Sequence, residues 1–402
     1  MRVALLSNKG FSLVEMVVVC LIFAVVIGIT GDAFNRIVSM SLSLNKSAES
    51  NISGVVGLQL MRSDLQAAGY GLPWSFSKAI TYDEATTQPG LGMGMSAGDY
   101  VPRAVISINN ISSGAQDVVF DKTDTLAIRG QTLATNSASK CWTYVESQVL
   151  PTVNPTPHPV GWKSENLQNS HNVIMIAGVV NMAPVNQLIV NDATGKWNTT
   201  FDNYSTLGKP PVYNDAEKKS DAYIIYGVSD AGLASLRMPF NRADYYVRRP
   251  TSADAAWFRM PQRCNPATGL LIKGVVNQNN GNYTEIPVLE CVLDMQVVYS
   301  VRNPPSSATL TDVSDISALS AQDIREQLKE IKVYLLAQDG GRDRNYTYPN
   351  ATVGVGPGNG LTSGSGSTYD FAGRGVPEWQ NYHWRVYQIV ARPNNLVGNV
   401  AQ

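Results

Sequence analysis

The sequence predicts an α+β protein: a long N-terminal transmembrane α-helix packed on a large antiparallel β-rich C-terminal head with long loops. Three observations carry this expectation. Residues 11–31 are an apolar run with one ionisable side chain, Glu15. Residues 32–68 contain no Pro and place apolar side chains at helical spacing. Beyond Pro73, short runs rich in Val, Ile and Tyr alternate with turn-rich segments. The 402-residue chain is 44% hydrophobic and 16% charged, enough apolar content to bury a core and too much for disorder. A formal charge of -1 provides no electrostatic footprint for a phosphate backbone, so no nucleic acid partner is expected.

The first ten residues carry Arg2 and Lys9 and no acid, which favours the cytoplasmic side of a membrane. As a helix, residues 11–31 rise about 31 Å, the thickness of a bilayer's hydrocarbon core. A carboxylate there costs on the order of 2.5–3.5 kcal/mol, so Glu15 needs a partner or a purpose. Two plainer readings compete. One is a secretory signal cut at Gly31-Asp32-Ala33, a site that lacks Ala at its first position and follows no break in the apolar run. The other is an ordinary single-pass anchor, which leaves unexplained why Gly10 precedes Phe11 with the acid at this spacing.

The helix is expected to continue beyond the membrane. Leu44, Ala48, Ile52, Val55, Leu58, Met61 and Leu65 recur every three or four residues and form one stripe for docking on the head. Gly28, Gly31, Gly54 and Gly57 each lower helix propensity by up to about 1 kcal/mol relative to Ala, so local bending or melting is expected. Ala68-Gly69-Tyr70-Gly71 followed by Pro73 is a stop signal.

In the head, strands are expected near 117–129, 173–180, 222–228, 294–301, 331–337 and 384–391. A second helix is expected over 320–329, capped by Ser320 and Asp323. The Gly/Ser-rich stretch 353–368 reads as a flexible loop between the last two strands. Of four Cys, Cys20 lies in the apolar run and cannot reach the head. Cys141, Cys264 and Cys291 remain, and the favoured pair is Cys264–Cys291, since both flank expected strands and the closed loop is worth about 3–4 kcal/mol. Three unpaired thiols are the alternative. His158, His171 and His383 stand far apart in sequence with no metal-ligand spacing, and Asp339-Gly340-Gly341-Arg342-Asp343 breaks the order of a calcium loop. No metal, cofactor or catalytic constellation is expected, and the chain reads as a non-enzyme.

Taken together, Lys9-Gly10-Phe11-Ser12-Leu13-Val14-Glu15 resembles the prepilin processing signal of type IV pilins and type II secretion pseudopilins. In that family a membrane peptidase cuts after the glycine and methylates the new N-terminus. The resemblance therefore implies a pilin-like fold, cleavage between Gly10 and Phe11, N-methylation of Phe11, and a register role for Glu15 facing a neighbouring subunit's N-terminal ammonium. The helix end, Leu60 to Tyr70, is similar to that of PilW-type minor pilins. Weaker similarities lie at 124–129, 221–226, 289–299 and 387–395, while 130–220 and 340–380 match nothing in that pattern and read as elaborations.

The implied organisation is a leader at 1–10, a transmembrane half-helix at 11–31, its amphipathic continuation at 32–72 and a β-rich head at 73–402. The implied function is that of a minor pilin, active in initiating or assembling a type IV pilus near its tip. The implied partners are prepilin peptidase, other minor pilins, the major pilin, the inner-membrane assembly platform and membrane lipid. The implied location is the inner membrane, with the head outside the cytoplasm, and then the pilus. A J-type pseudopilin, usually far shorter, and a membrane-anchored adhesin or enzyme are the alternatives.

Overall fold

The structure is a computed structural model that describes residues 13–85, 101–111, 119–146, 156–157, 167–180, 183–202, 222–230, 233, 235–255, 258–305, 309–360 and 366–397. Within the first helix, side chains at 28–29, 31–33 and 35–53 lie outside the description. In chain order the elements are α1 (Leu13–Gln66), β1 (Ser75–Phe76), β2 (Val105–Ile108), β3 (Thr125–Gly130), β4 (Trp142–Glu146), β5 (Thr156–Pro157), β6 (Asn172–Val180), β7 (Ala183–Leu188) and β8 (Thr199–Thr200). There follow β9 (Ala222–Ser229), β10 (Asn241–Arg248), β11 (Gly269–Val276), β12 (Tyr283–Val301), β13 (Thr311–Val313), α2 (Ala321–Gln327), β14 (Leu328–Asp339), β15 (Thr352–Val355), β16 (Ser367–Asp370), β17 (His383–Ala391) and α3 (Asn394–Val397).

Among the described residues the head holds an eight-stranded sheet in the order β17-β14-β12-β11-β10-β3-β2, with β13 also paired to β12. Every pairing in it is antiparallel. A seven-stranded sheet, β1-β7-β6-β9-β4-β5 with β8 on β6, takes six of its strands from the chain between β3 and β10 and its edge strand β1 from just after α1. Its β1–β7 pair is parallel, the exception to the antiparallel expectation.

The central strands alternate as two-sided burial requires. On β14, Ile331, Val333 and Leu335 enter the main core with Met61 and Leu65 of α1, while Tyr334 and Leu336 enter a second cluster on the far face. On β12, Val297 and Tyr299 face α1 and Val298 faces away. A bulge between Val292 and Asp294 then shifts the parity, so that Val292 and Met295 share the α1 face.

The expected strands are present with longer bounds at β12 and β14, except that the one expected over 117–129 is confined to Thr125–Gly130, since 121–122 form a turn and 117–118 lie outside the described residues. Ser320 and Asp323 form a capping box at α2. Two expectations need correction. The stretch 353–368 is not simply a loop: β15 and β16 pair as a hairpin over the far face, and Val355 and Tyr369 are buried there. The glycines of α1 do not break it, since Leu13–Gln66 is one 54-residue helix, about 81 Å long.

No helix among the described residues is long and apolar enough to cross a membrane. The apolar run expected to do so begins at Phe11, outside the described residues. Its described side chains, Leu13 to Ile27, are all exposed.

Candidate assembly site on the N-terminal helix

α1 carries two kinds of surface. Leu13, Val14, Met16, Val17 and their successors to Ile27 leave large hydrophobic side chains uncovered, as does Phe34 at 64% exposure. Contiguous apolar exposure on this scale marks a surface that a membrane or another chain covers. Thr30 returns its hydroxyl to the Val26 carbonyl at 2.7 Å, satisfying it within the helix. Glu15 sits in the first turn, where the positive end of the helix dipole favours an acid.

The last four turns are seated on the head. Gly54, Gly57, Met61, Asp64, Leu65 and Ala68 are buried at spacings of three and four. The expected stripe is thus corrected. Met61 and Leu65 are fully buried and Leu58 is half-buried, but Val55 points outward at 65% exposure, as does Val56. Leu44, Ala48 and Ile52 lie outside the described side chains.

The seat is built on absent side chains. A Cβ on Gly57 would overlap the Val288 carbonyl, and one on Gly54 would meet Leu289 Cδ1 at 3.1 Å. The helix backbone therefore rests directly on β12. The end of α1 is clamped as well. Gly69, at φ +82°, donates its N–H to the Arg129 carbonyl at 2.8 Å, and Gln131 donates its N–H to the Tyr70 carbonyl at 2.8 Å.

Asp64 faces the sheet. Tyr245 and Lys273, register partners on β10 and β11, converge on its Oδ2 at 2.7 and 2.5 Å. Burial raises the Asp64 carboxyl above its ordinary range, and Lys273 and Tyr245 pull it back. The opposite face of the same strands carries a second ionic group. Arg129 on β3 and Arg242 on β10 are register partners, and Glu84 spans them, accepting from Arg129 Nη2 at 2.8 Å and from Arg242 Nη1 at 2.6 Å. Asp244 takes the other side of Arg242 at 2.8 Å and accepts from the Tyr283 hydroxyl. Two cations and two carboxylates balance, which makes their burial tolerable.

Of the residues singled out by sequence, Gly10 and Phe11 lie outside the described residues. Cys264 and Cys291 are joined by a disulfide across a sequence separation of 27. Cys141 is buried outside that bond, and its Sγ lies 3.3 Å from the Ser137 carbonyl. Gly54, Gly57, Asp64, Lys273 and Glu84 were not anticipated. Asp64 had a readable signal, since a carboxylate spaced three after Met61 on a buried face demands a buried cation.

Residues 5–31 match the family described as the prokaryotic N-terminal methylation motif. No curated protein and no solved structure matches the chain. That motif, leading into a helix seated on a β-rich head, fits a type IV pilin-like or pseudopilin-like protein.

Proposed function

We propose that this chain is a minor pilin of the PilW type, held in the inner membrane by residues 11–31 and then built into a type IV pilus near its tip. Prepilin peptidase removes residues 1–10 and methylates Phe11. Glu15, exposed on the helix, pairs with the new N-terminal ammonium of a neighbouring subunit and fixes register, because a buried carboxylate left unpaired costs several kcal/mol. The head stays outside the cytoplasm and contacts other minor pilins and the major pilin at the assembly platform. Its role is structural, with no turnover.

The observation that carries this reading is the division of labour along α1. The methylation motif spans an uncovered apolar stretch, Leu13 to Ile27, and the last turns of the helix, from Gly54, are locked to the head through glycines. Intact-protein mass spectrometry of the membrane-extracted chain tests it, with loss of residues 1–10 plus one methyl group expected. A mature N-terminus near Phe34 would overturn the reading. Co-purification of the full chain with other minor pilins tests the assembly role.

A further inference from the structure

A cavity of about 430 Å³ opens between the far face of the eight-stranded sheet and the turn after β16. Its walls carry three cations, Lys122, Arg249 and Arg374, and one carboxylate, Asp121. None of the three cations belongs to an ion pair among the described residues. A second carboxylate opposes them. Asp294, next to Leu293 of the lining, is buried, accepts from Gln296 and Ser367, and feels the charge of Arg374. Asp370, whose carboxylate lies beside Gly373 of the wall and accepts its N–H, is a third acid, so three cations stand against three carboxylates, two of which are already engaged by other donors.

The cations come from three separate stretches; the two guanidiniums are held in place, and Lys122 is fixed at its backbone. The Arg249 guanidinium lies over the Phe120 ring at 5.3 Å, and that of Arg374 over the Tyr369 ring at 4.4 Å. Stacking through the face leaves N–H groups at the guanidinium edge to meet an anion. Phe120 can take its position because residue 269 is glycine. A Cβ there would stand 2.8 Å from the ring. Arg374 sits on a turn closed by Gly373 N–H to Asp370 Oδ1 at 3.0 Å and by its own N–H to the Asp370 carbonyl at 3.0 Å. Lys122 is held at φ +61°, and its carbonyl accepts from Gln296 Nε2 at 3.3 Å. Arg249 Nε and Arg374 Nη1 each reach one backbone carbonyl, at 3.3 and 3.4 Å. The remaining N–H groups of each guanidinium are not used in these bonds.

We propose that this cavity is an oxyanion-binding site, taking the carboxylate or phosphate group of a small ligand. Arg249 and Arg374 supply the fork and Lys122 the point charge. The site lies in the head, apart from α1, and does not depend on the pilin reading.

The test uses the full-length chain in detergent, titrated calorimetrically with inorganic phosphate and separately with citrate, with sodium chloride at matched ionic strength as the control. Saturable binding of at least one anion at millimolar concentration or below is expected, and the tighter of the two distinguishes phosphate from carboxylate. Arg374→Ala and Arg249→Ala each weaken it about tenfold, the value of one charge-assisted contact. Lys122→Gly removes an exposed cation where the backbone already favours glycine, so a folding defect cannot explain its loss of affinity. No saturation by either anion up to tens of millimolar, or undiminished binding in all three variants, would overturn the proposal.

Discussion

Gly57 of α1 and Val288 of β12 meet backbone to backbone, with no room for a Cβ between the helix and the strand's carbonyl. Gly57→Ala is therefore expected to destabilise the head by about 1–3 kcal/mol, because the atom it would strike is main chain and cannot turn aside. Gly54→Ala meets only the tip of the Leu289 side chain, which can give. Its small steric cost is offset by about 1 kcal/mol of helix propensity. Urea unfolding of both variants followed by circular dichroism checks the contrast. Equal effects at the two positions would refute the seat.

Asp64 and Lys273 tie the same helix to the sheet through charge. Asp64→Ala leaves the Lys273 ammonium buried without its partner and is expected to cost about 3–5 kcal/mol. Asp64→Leu combined with Lys273→Met removes both charges and is expected to recover most of that loss. A double-mutant cycle from denaturant midpoints measures the coupling.

Asp124 makes stability fall as pH rises through neutrality. Burial, with a contribution from Asp294, pushes its carboxyl up to about 7, against the N–H groups of Asn110 and Val297 that favour the charged form. Asp294 is raised to about 6, chiefly by burial. The native state therefore keeps protons that the unfolded chain releases near pH ~4. Stability from these two groups is full below ~4 and declines as pH rises through 6 and 7. Asp254 works the other way, since its bond to Arg248 lowers it, and stability from that pair is lost only as pH falls below ~4. In Asp124→Asn the slope above pH ~4 should shrink. The variant is less stable throughout, because its amide sets an N–H against one of the two backbone donors. Denaturant midpoints from pH 4 to 8 check this.

Glu15→Val removes the one acid of the apolar run. Membrane insertion should be unchanged or improved, by on the order of 2.5–3.5 kcal/mol on insertion scales, while incorporation into fibres falls. Immunoblots of membrane and sheared-fibre fractions separate the two effects. Wild-type incorporation of the variant would show that Glu15 does not set register.

Much of the head was legible because its signals are local. The alternation of β14 and β17, the Ser320–Asp323 cap and the Gly-rich stop after Ala68 each lie within a few residues. The helix seat was misread at Val55, which points outward, and at Gly54 and Gly57, because glycine in a helix registers as lost propensity and only the partner surface reveals it as a contact. The ionic groups were invisible for a different reason. Glu84 and Arg242 are 158 residues apart, and nothing in either neighbourhood specifies the other. The hairpin in 353–368 was hidden by composition: Gly and Ser argued for a loop, whereas burial of Val355 and Tyr369 decided the outcome.

Gly130 and Asn241 are register partners, so the whole excursion from 131 to 240 leaves and re-enters the eight-stranded sheet at one place. In topology it is removable, since a short turn could join β3 to β10 and leave the order of the remaining strands intact. In energy it is not. Ile174, Ile176 and Leu188 of the excursion share one core with Met61 and Leu65 of α1. A shortened chain would keep its strand order and lose the part of the common core that these side chains supply, along with the Tyr226 ring that meets Tyr70 at the end of the helix. Enlarging or trimming this part of the head therefore reaches the helix through its end at Tyr70.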